Sequence, residues 1–200
     1  MIRAGGYELM NSRMVESELE LARVGYERMC RENHHRVCRA VIAGLGLGFT
    51  LAEFLRRTGD LRSLDLTVVE VSAEVLDWYK THFRPNLHAD IQDQSVNFRV
   101  TDILDFLNGA RDLDLVLLDV DNGPAPITQQ SNSKLYEAEG LTRLHRALRS
   151  GGQAIFWSGF RDEEFNIRLR NAGFAVDEII VDLGRSHHHL ICLKKPKGAC

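Results

Sequence analysis

Apolar and polar positions alternate between two periods along this chain. Val15, Leu19, Ala22, Tyr26 and Met29 recur at helical spacing, with Asn11 or Ser12 as the predicted N-cap. Cys38 to Ala43 follows as a β-rich run without polar alternation, the pattern of a strand buried on both faces. It ends in Gly44-Leu45-Gly46-Leu47-Gly48. A helical pattern through Leu51, Phe54 and Leu55 then stops at Gly59.

The alternation continues to the C-terminus. Strands are predicted at Leu64–Val71, Val96–Val100, Leu113–Val120 and Gln153–Ser158. Between them lie a helix capped by Ser72, a short helix around Leu104 to Leu107, and a helix over Leu141–Leu148 that Gly151-Gly152 is expected to end. A helix over Glu163–Ala172 follows. Two last strands, Phe174–Val181 and His187–Leu193, are separated only by a turn. Repeated strand–helix units imply a parallel sheet with helices on both faces. The final pair has no room for a crossover helix and must be antiparallel. The expected fold class is α/β: a Rossmann-like class I methyltransferase fold with a seven-stranded, mostly parallel sheet and an antiparallel C-terminal hairpin. Residues 1–36 read as a leader and helix, and residues 37–200 as the Rossmann-like domain, in one compact unit.

Composition narrows the function. The 200 residues are 44% hydrophobic and 26% charged, which excludes disorder, collagen-like repeats and a coiled-coil rod. The longest charge-free apolar stretch, Ala40 to Ala52, is too short for a bilayer and carries three glycines. Met1 to Gly6 leads into no apolar core, so no signal peptide is expected and a cytoplasmic location follows. A net charge of −3 argues against a nucleic-acid coat. Cys30, Cys38, Cys192 and Cys200 show no CxxC spacing, so reduced thiols are expected rather than disulfides or zinc. In His187-His188-His189 only alternate residues share a face, so no metal site is expected there.

Candidate chemistry sits at the strand ends. Ligands of open α/β sheets bind over the carboxyl ends of the strands. Glycines at 44, 46 and 48 allow a tight turn and close approach of a ligand, or serve tight packing alone. Glu70 closes the second strand of the sheet, where a carboxylate can accept both hydroxyls of a ribose. Asp102 either faces the amino edge of an adenine or N-caps the helix starting at Ile103, and the two roles are compatible. Asp119 and Asp121 follow five apolar residues of a strand and point to one side of an extended chain. Beside a cleft they can hold an amine or take its proton, although Asp-Asn-Gly-Pro is also turn chemistry. Trp157 either lines an acceptor pocket or packs.

These residues together resemble the spermidine synthases, the polyamine aminopropyltransferases, from about Glu8 to Lys195. The resemblance rests on Gly44/Gly46/Gly48, Glu70, Asp102, Asp119 to Pro124, Leu135-Tyr136, Leu144, Ala147-Leu148 and Gly151-Gly152. It implies an adenosyl sulfonium donor, S-adenosylmethionine or its decarboxylated form, and no metal. Gly44, Gly46, Gly48, Glu70, Asp102 and Ile103 would bind the donor, Glu70 at the ribose and Asp102 at the adenine. Asp119, aided by Asp121, would serve a small-molecule acceptor, an amine. Neither nucleic acid nor membrane is an expected partner, and a homodimer is the expected assembly.

The chain also departs from the family. Leu47 stands where spermidine synthases carry an acid contacting the aminopropyl amine. Asn122 stands at the fourth loop position, where they have a second acid. Leu141 replaces a tyrosine near the polyamine, and only some 40 residues precede the first strand of the sheet. Ala43 likewise replaces the acid that methyltransferases often carry before the first glycine. The departures at Leu47, Asn122 and Leu141 fall on the amine half and spare the adenosine half. The departures leave adenosyl binding better supported than polyamine chemistry; the leading reaction, implied by the resemblance, is transfer of an aminopropyl group to an amine. The alternatives are an S-adenosylmethionine-dependent methyltransferase or a non-catalytic nucleoside-binding module. Glu16, Glu18 and Glu20 open the first helix, which is expected to lid the cleft.

Overall fold

The computed structural model describes residues 2–4, 7–10, 15–32, 37–58, 64–87, 96–120, 133–184 and 186–198. Asn11, Ser12, Gly59, Asp121 to Pro124 and Cys200, all given roles above, lie outside them.

A short antiparallel hairpin, β1 (Ile2–Ala4) with β2 (Tyr7–Met10), precedes helix α1 (Glu16–Glu32). The main sheet comprises β3 (Cys38–Ala43), β4 (Leu64–Glu70), β5 (Val96–Val100), β6 (Leu113–Leu118), β7 (Leu148–Ser158), β8 (Ala175–Asp182) and β9 (His187–Lys194). Its seven strands run in the order β5-β4-β3-β6-β7-β9-β8. β3 to β7 are mutually parallel, and β9 runs antiparallel to both β7 and β8. This is the Rossmann-like methyltransferase fold expected from the sequence.

β3 and β6 are central because their side chains are apolar on both faces. Ala40 and Ile42 pack with Leu115 and Leu117 on one side, while Val41 and Ala43 pack with Val116 and Leu118 on the other. The first side is covered by α1, α2 (Phe49–Thr58) and α3 (Ala73–Trp78). α3 runs on through a π turn at Tyr79–Phe83 into α4 (Arg84–Leu87). The second side is covered by α5 (Ile103–Gly109), α6 (Ala138–Ala147) and α7 (Glu163–Asn171).

The boundaries shift by a few residues at several ends, and the largest difference from expectation lies between α6 and β7. Gly151-Gly152 does not end the helix; α6 stops at Ala147 and the glycines lie inside β7. Leu113 pairs with Leu148 but Leu115 pairs with Gln153, so the extra residues of β7 bulge at the glycines. A Cβ on Gly152 would lie 2.6 Å from the Leu113 carbonyl oxygen. Asp114 is 2% exposed within the bulged register, accepts from the Arg39 amide (2.8 Å) and pairs with the Arg149 guanidinium. This buried ion pair ties β3, β6 and β7 together at the amino edge of the sheet, away from the strand ends that carry candidate chemistry.

Candidate functional site

The strand order reverses between β3 and β6, where the chain leaves the sheet on both sides of a crevice. The Asp119 amide donates to the Ala43 carbonyl (2.9 Å) and the Gly44 amide to the Val69 carbonyl (2.9 Å), so three strand ends are hydrogen-bonded to each other. Gly44 has φ +88°, and a Cβ there would lie 2.0 Å from the Asp119 carbonyl oxygen. Only glycine lets the two strands exit so close together. Gly46 has φ +52°. Gly48 has φ +90°, and its Cβ would come within 2.5 Å of the Tyr79 ring. At Gly44 and Gly48 the chain itself thus accounts for the glycine.

Glu70 stands at the carboxyl end of β4 and is 9% exposed. Its Oε2 accepts from the Leu45 amide and its Oε1 from the Ser72 amide, both at 2.9 Å. The carboxylate therefore clamps the glycine turn to the start of α3. Each oxygen has a further lone pair, so both clamp bonds are compatible with accepting ligand hydroxyls.

Asp102 is the N-cap of α5: its Oδ1 accepts from the Leu104 amide at 2.7 Å. Its Oδ2 makes no hydrogen bond among the described residues. Asp102 lines a cavity of about 340 Å³ with Leu104, Asp105, Lys134, Glu139 and Arg143. Ile103 is 6% exposed, and its side chain belongs to the core with Val69 and Leu104. Val71 and Val100, 54% and 49% exposed, offer apolar surface next to Glu70 and Asp102.

Asp119 leaves β6 at the crevice. Its Oδ2 accepts from the hydroxyl of Thr50 (3.3 Å), a buried residue on the first turn of α2. Burial pushes the Asp119 carboxyl up to about 6, and the Thr50 hydrogen bond works against that rise. Glu18, near the start of α1, feels the Asp119 charge. Its carboxyl is pushed up to about 8, mainly by burial and then by Asp119. Sequence reasoning missed Thr50 altogether, because nothing in its spacing marks a partner some 70 residues away. Glu18 was legible only as one of three acids at the helix start.

The polyamine-half departures also have places. Leu47 is 4% exposed inside the turn, and Leu141 is 0% exposed in the core between α6 and the sheet. Trp157 packs against the α1 side of the sheet and meets the His188 ring edge to face at 4.9 Å. His189 Nδ1 lies 2.5 Å from Glu178 on β8.

Among the described residues no helix is long and apolar enough to cross a membrane. Neither a protein-family model nor a curated protein matches this chain. Solved structures do. A spermidine synthase in complex with the transition-state analogue AdoDATO is similar over 91% of this chain and 61% of its own, at 15% identity and a TM-score of 0.70. The spermidine synthase of Thermotoga maritima is similar over 91% and 59%, at 14% identity and a TM-score of 0.66. The chain thus spans about three fifths of these two proteins. The 1,6-didemethyltoxoflavin-N1-methyltransferase of Burkholderia thailandensis, with bound S-adenosylhomocysteine, is similar over 92% and 82%, at 19% identity and a TM-score of 0.60. The chain has the S-adenosylmethionine-dependent methyltransferase fold shared by these enzymes.

Proposed function

We propose that this chain is a transferase that binds an adenosyl sulfonium donor over the glycine turn and directs its transferable carbon to an amine held at Asp119. The observation that supports the reading is the hydrogen-bonded cluster of the glycine turn, the Glu70 carboxylate and the Asp119 strand end beside the strand-order reversal; Asp102 caps α5 at the end of the neighbouring edge strand. Structural neighbours that include spermidine synthases and methyltransferases support it.

Glu70, fixed by two amides, would accept the ribose hydroxyls without having to reorganise. Asp102 Oδ2 would face the amino edge of the adenine while Oδ1 keeps its cap, with Val71 and Val100 against the base. The bound donor supplies a carbon already activated by the sulfonium. The protein's task is then to place a neutral nitrogen in line with it and hold the proton that the nitrogen gives up. A carboxyl at about 6 is suited to that exchange near neutral pH. Asp121 is the assigned helper in this step.

The leading reaction is aminopropyl transfer from decarboxylated S-adenosylmethionine. Methyl transfer from S-adenosylmethionine is the second reading, favoured by the buried, apolar Leu47, which offers nothing to an aminopropyl ammonium. Calorimetric titration with both donors in one buffer separates them. Tighter binding of the decarboxylated donor selects aminopropyl transfer, and tighter binding of the intact donor selects methyl transfer. Binding of either without turnover on a broad amine panel selects the non-catalytic module. Whichever donor binds, Asp119→Asn should lower turnover by about 100-fold, the scale of a lost acid–base group; unchanged turnover would remove Asp119 from the chemistry.

A further inference from the structure

The carboxyl edge of the sheet carries a row of polar side chains on the face that α1 and α2 cover. Leu118 pairs with Phe156 in the parallel β6–β7 ladder, so Asp119 and Trp157 are the next residues on neighbouring strands. Side chains alternate between faces. Asp119 therefore shares a face with Leu117, and Trp157 shares the same face with Ile155. The hydrogen bond from Thr50 on α2 agrees with that side for Asp119. On the next strand Leu190 pairs with Trp157, and His188, two residues before it, lies on the same face. Asp119, Trp157 and His188 thus form a row across three adjacent strands, about 10 Å from end to end.

Trp157 and His188 act as one unit. Their rings meet edge to face at 4.9 Å and 71°. The indole Nε1 and the imidazole Nδ1 are both buried, and neither makes a hydrogen bond among the described residues. On the opposite face of the same strands the polar groups are paired: the Ser158 hydroxyl donates to the Phe160 carbonyl (2.7 Å), and His189 Nδ1 meets Glu178 at 2.5 Å. A buried polar atom left without a partner costs about 1–3 kcal/mol, and packing alone would be served as well by phenylalanine. Burial, and then the neighbouring His189, hold His188 below its ordinary range, so its ring is neutral near pH 7.

The two atoms define what can complete them. An indole N–H only donates, and so does an ammonium. A second ammonium placed here could meet His188 but would face the indole proton with one of its own. A hydroxyl oxygen accepts from the indole and either donates to or accepts from His188 Nδ1, whichever tautomer the ring adopts.

We propose that Trp157 and His188 form an oxygen-recognising subsite for the acceptor, which carries a neutral hydroxyl between these rings as well as the nitrogen held at Asp119. The acceptor class is then an amino alcohol rather than a diamine. The inference rests on the reading of Asp119 as the acceptor's nitrogen site and holds for either donor.

Calorimetry on the chain saturated with S-adenosylhomocysteine tests it. The amino alcohols 3-aminopropan-1-ol, 4-aminobutan-1-ol and 5-aminopentan-1-ol are each compared with the diamine of the same length. The best amino alcohol should bind about tenfold more tightly than its diamine, the scale of one hydrogen bond made and one buried donor no longer unpaired. Trp157→Phe should abolish that preference and His188→Phe should reduce it. Both variants should keep the wild-type affinity for S-adenosylhomocysteine and the wild-type melting temperature, since neither atom has a protein partner to lose. A preference unchanged in Trp157→Phe would overturn the role of the indole. A clear fall in the melting temperature of Trp157→Phe with the preference intact would show the N–H to be paired within the chain and would overturn the subsite. Diamines that bind as tightly as amino alcohols, or failure of both series to bind, would overturn it while leaving donor binding standing. Failure of S-adenosylhomocysteine itself to bind would instead strike the donor reading.

Discussion

At the scale of single residues, the titration of Glu18 has a stability consequence of definite sign. Its carboxyl is raised in the fold from 4.5 to about 8, so the folded state holds a proton that the unfolded chain releases in that interval. The associated stability is complete below 4.5 and is lost as pH rises towards 8. Burial lowers His145 and His188, which acts with the opposite sign below their ordinary 6.5. Comparison of variants isolates the acid. Glu18→Gln should be more stable than wild type at pH 8.5 by on the order of 1–2 kcal/mol and should lose that advantage at pH 4.5. Parallel melting curves across the range would refute the raised carboxyl. Gly44→Ala is the opposite kind of change. Its Cβ has no space beside the Asp119 carbonyl and its φ is left-handed, so a loss of more than about 3 kcal/mol is expected in denaturant titration. A loss below 1 kcal/mol would mean the strand exits are looser than described.

At the scale of elements, Asp102 separates cap from ligand. Asp102→Ala removes the acceptor of the Leu104 amide and should cost about 1 kcal/mol. Asp102→Asn keeps a good cap, so its melting temperature should stay near wild type while its affinity for S-adenosylhomocysteine falls. Equal loss of stability in both variants would contradict the capping geometry. The elements were largely legible because buried strands such as β6 and the capped helix after Ser72 write their burial and their ends into a few adjacent residues. The glycine pair at 151 and 152 misled because a glycine turn after a helix and a glycine bulge at a strand start look alike until the partner strand is known. The β1–β2 hairpin is too short to carry a period. At the site, Glu70 and Asp102 were legible as strand-end acids, but the clamp on Leu45 and Ser72 was not. The hydrogen bond from Thr50 to Asp119 depends on how α2 lies across the sheet, and local sequence does not encode that.

At the scale of the molecule, the sheet is most protected where both faces are covered. β3 and β6 lie at its centre between two apolar layers, whereas β8 forms an edge with Ile180 61% exposed. Native-state hydrogen exchange should therefore find the slowest amides in β3 and β6 and faster exchange in β8. Slow exchange throughout β8 would point to a partner covering that edge. The crevice sits where the protected centre meets the strand exits, so the rigid part of the fold holds Glu70 and Asp119 in place.

The central claim is that this crevice binds an adenosyl sulfonium. The direct measurement is a calorimetric titration of the intact chain with S-adenosylmethionine. Saturable binding at one site per chain, abolished by Gly44→Ala in a sample still folded by circular dichroism, is the predicted result. Absence of binding to the wild-type chain at millimolar ligand, for this donor and for its decarboxylated form, would contradict the account: the glycine turn and the Glu70 clamp would then serve packing alone.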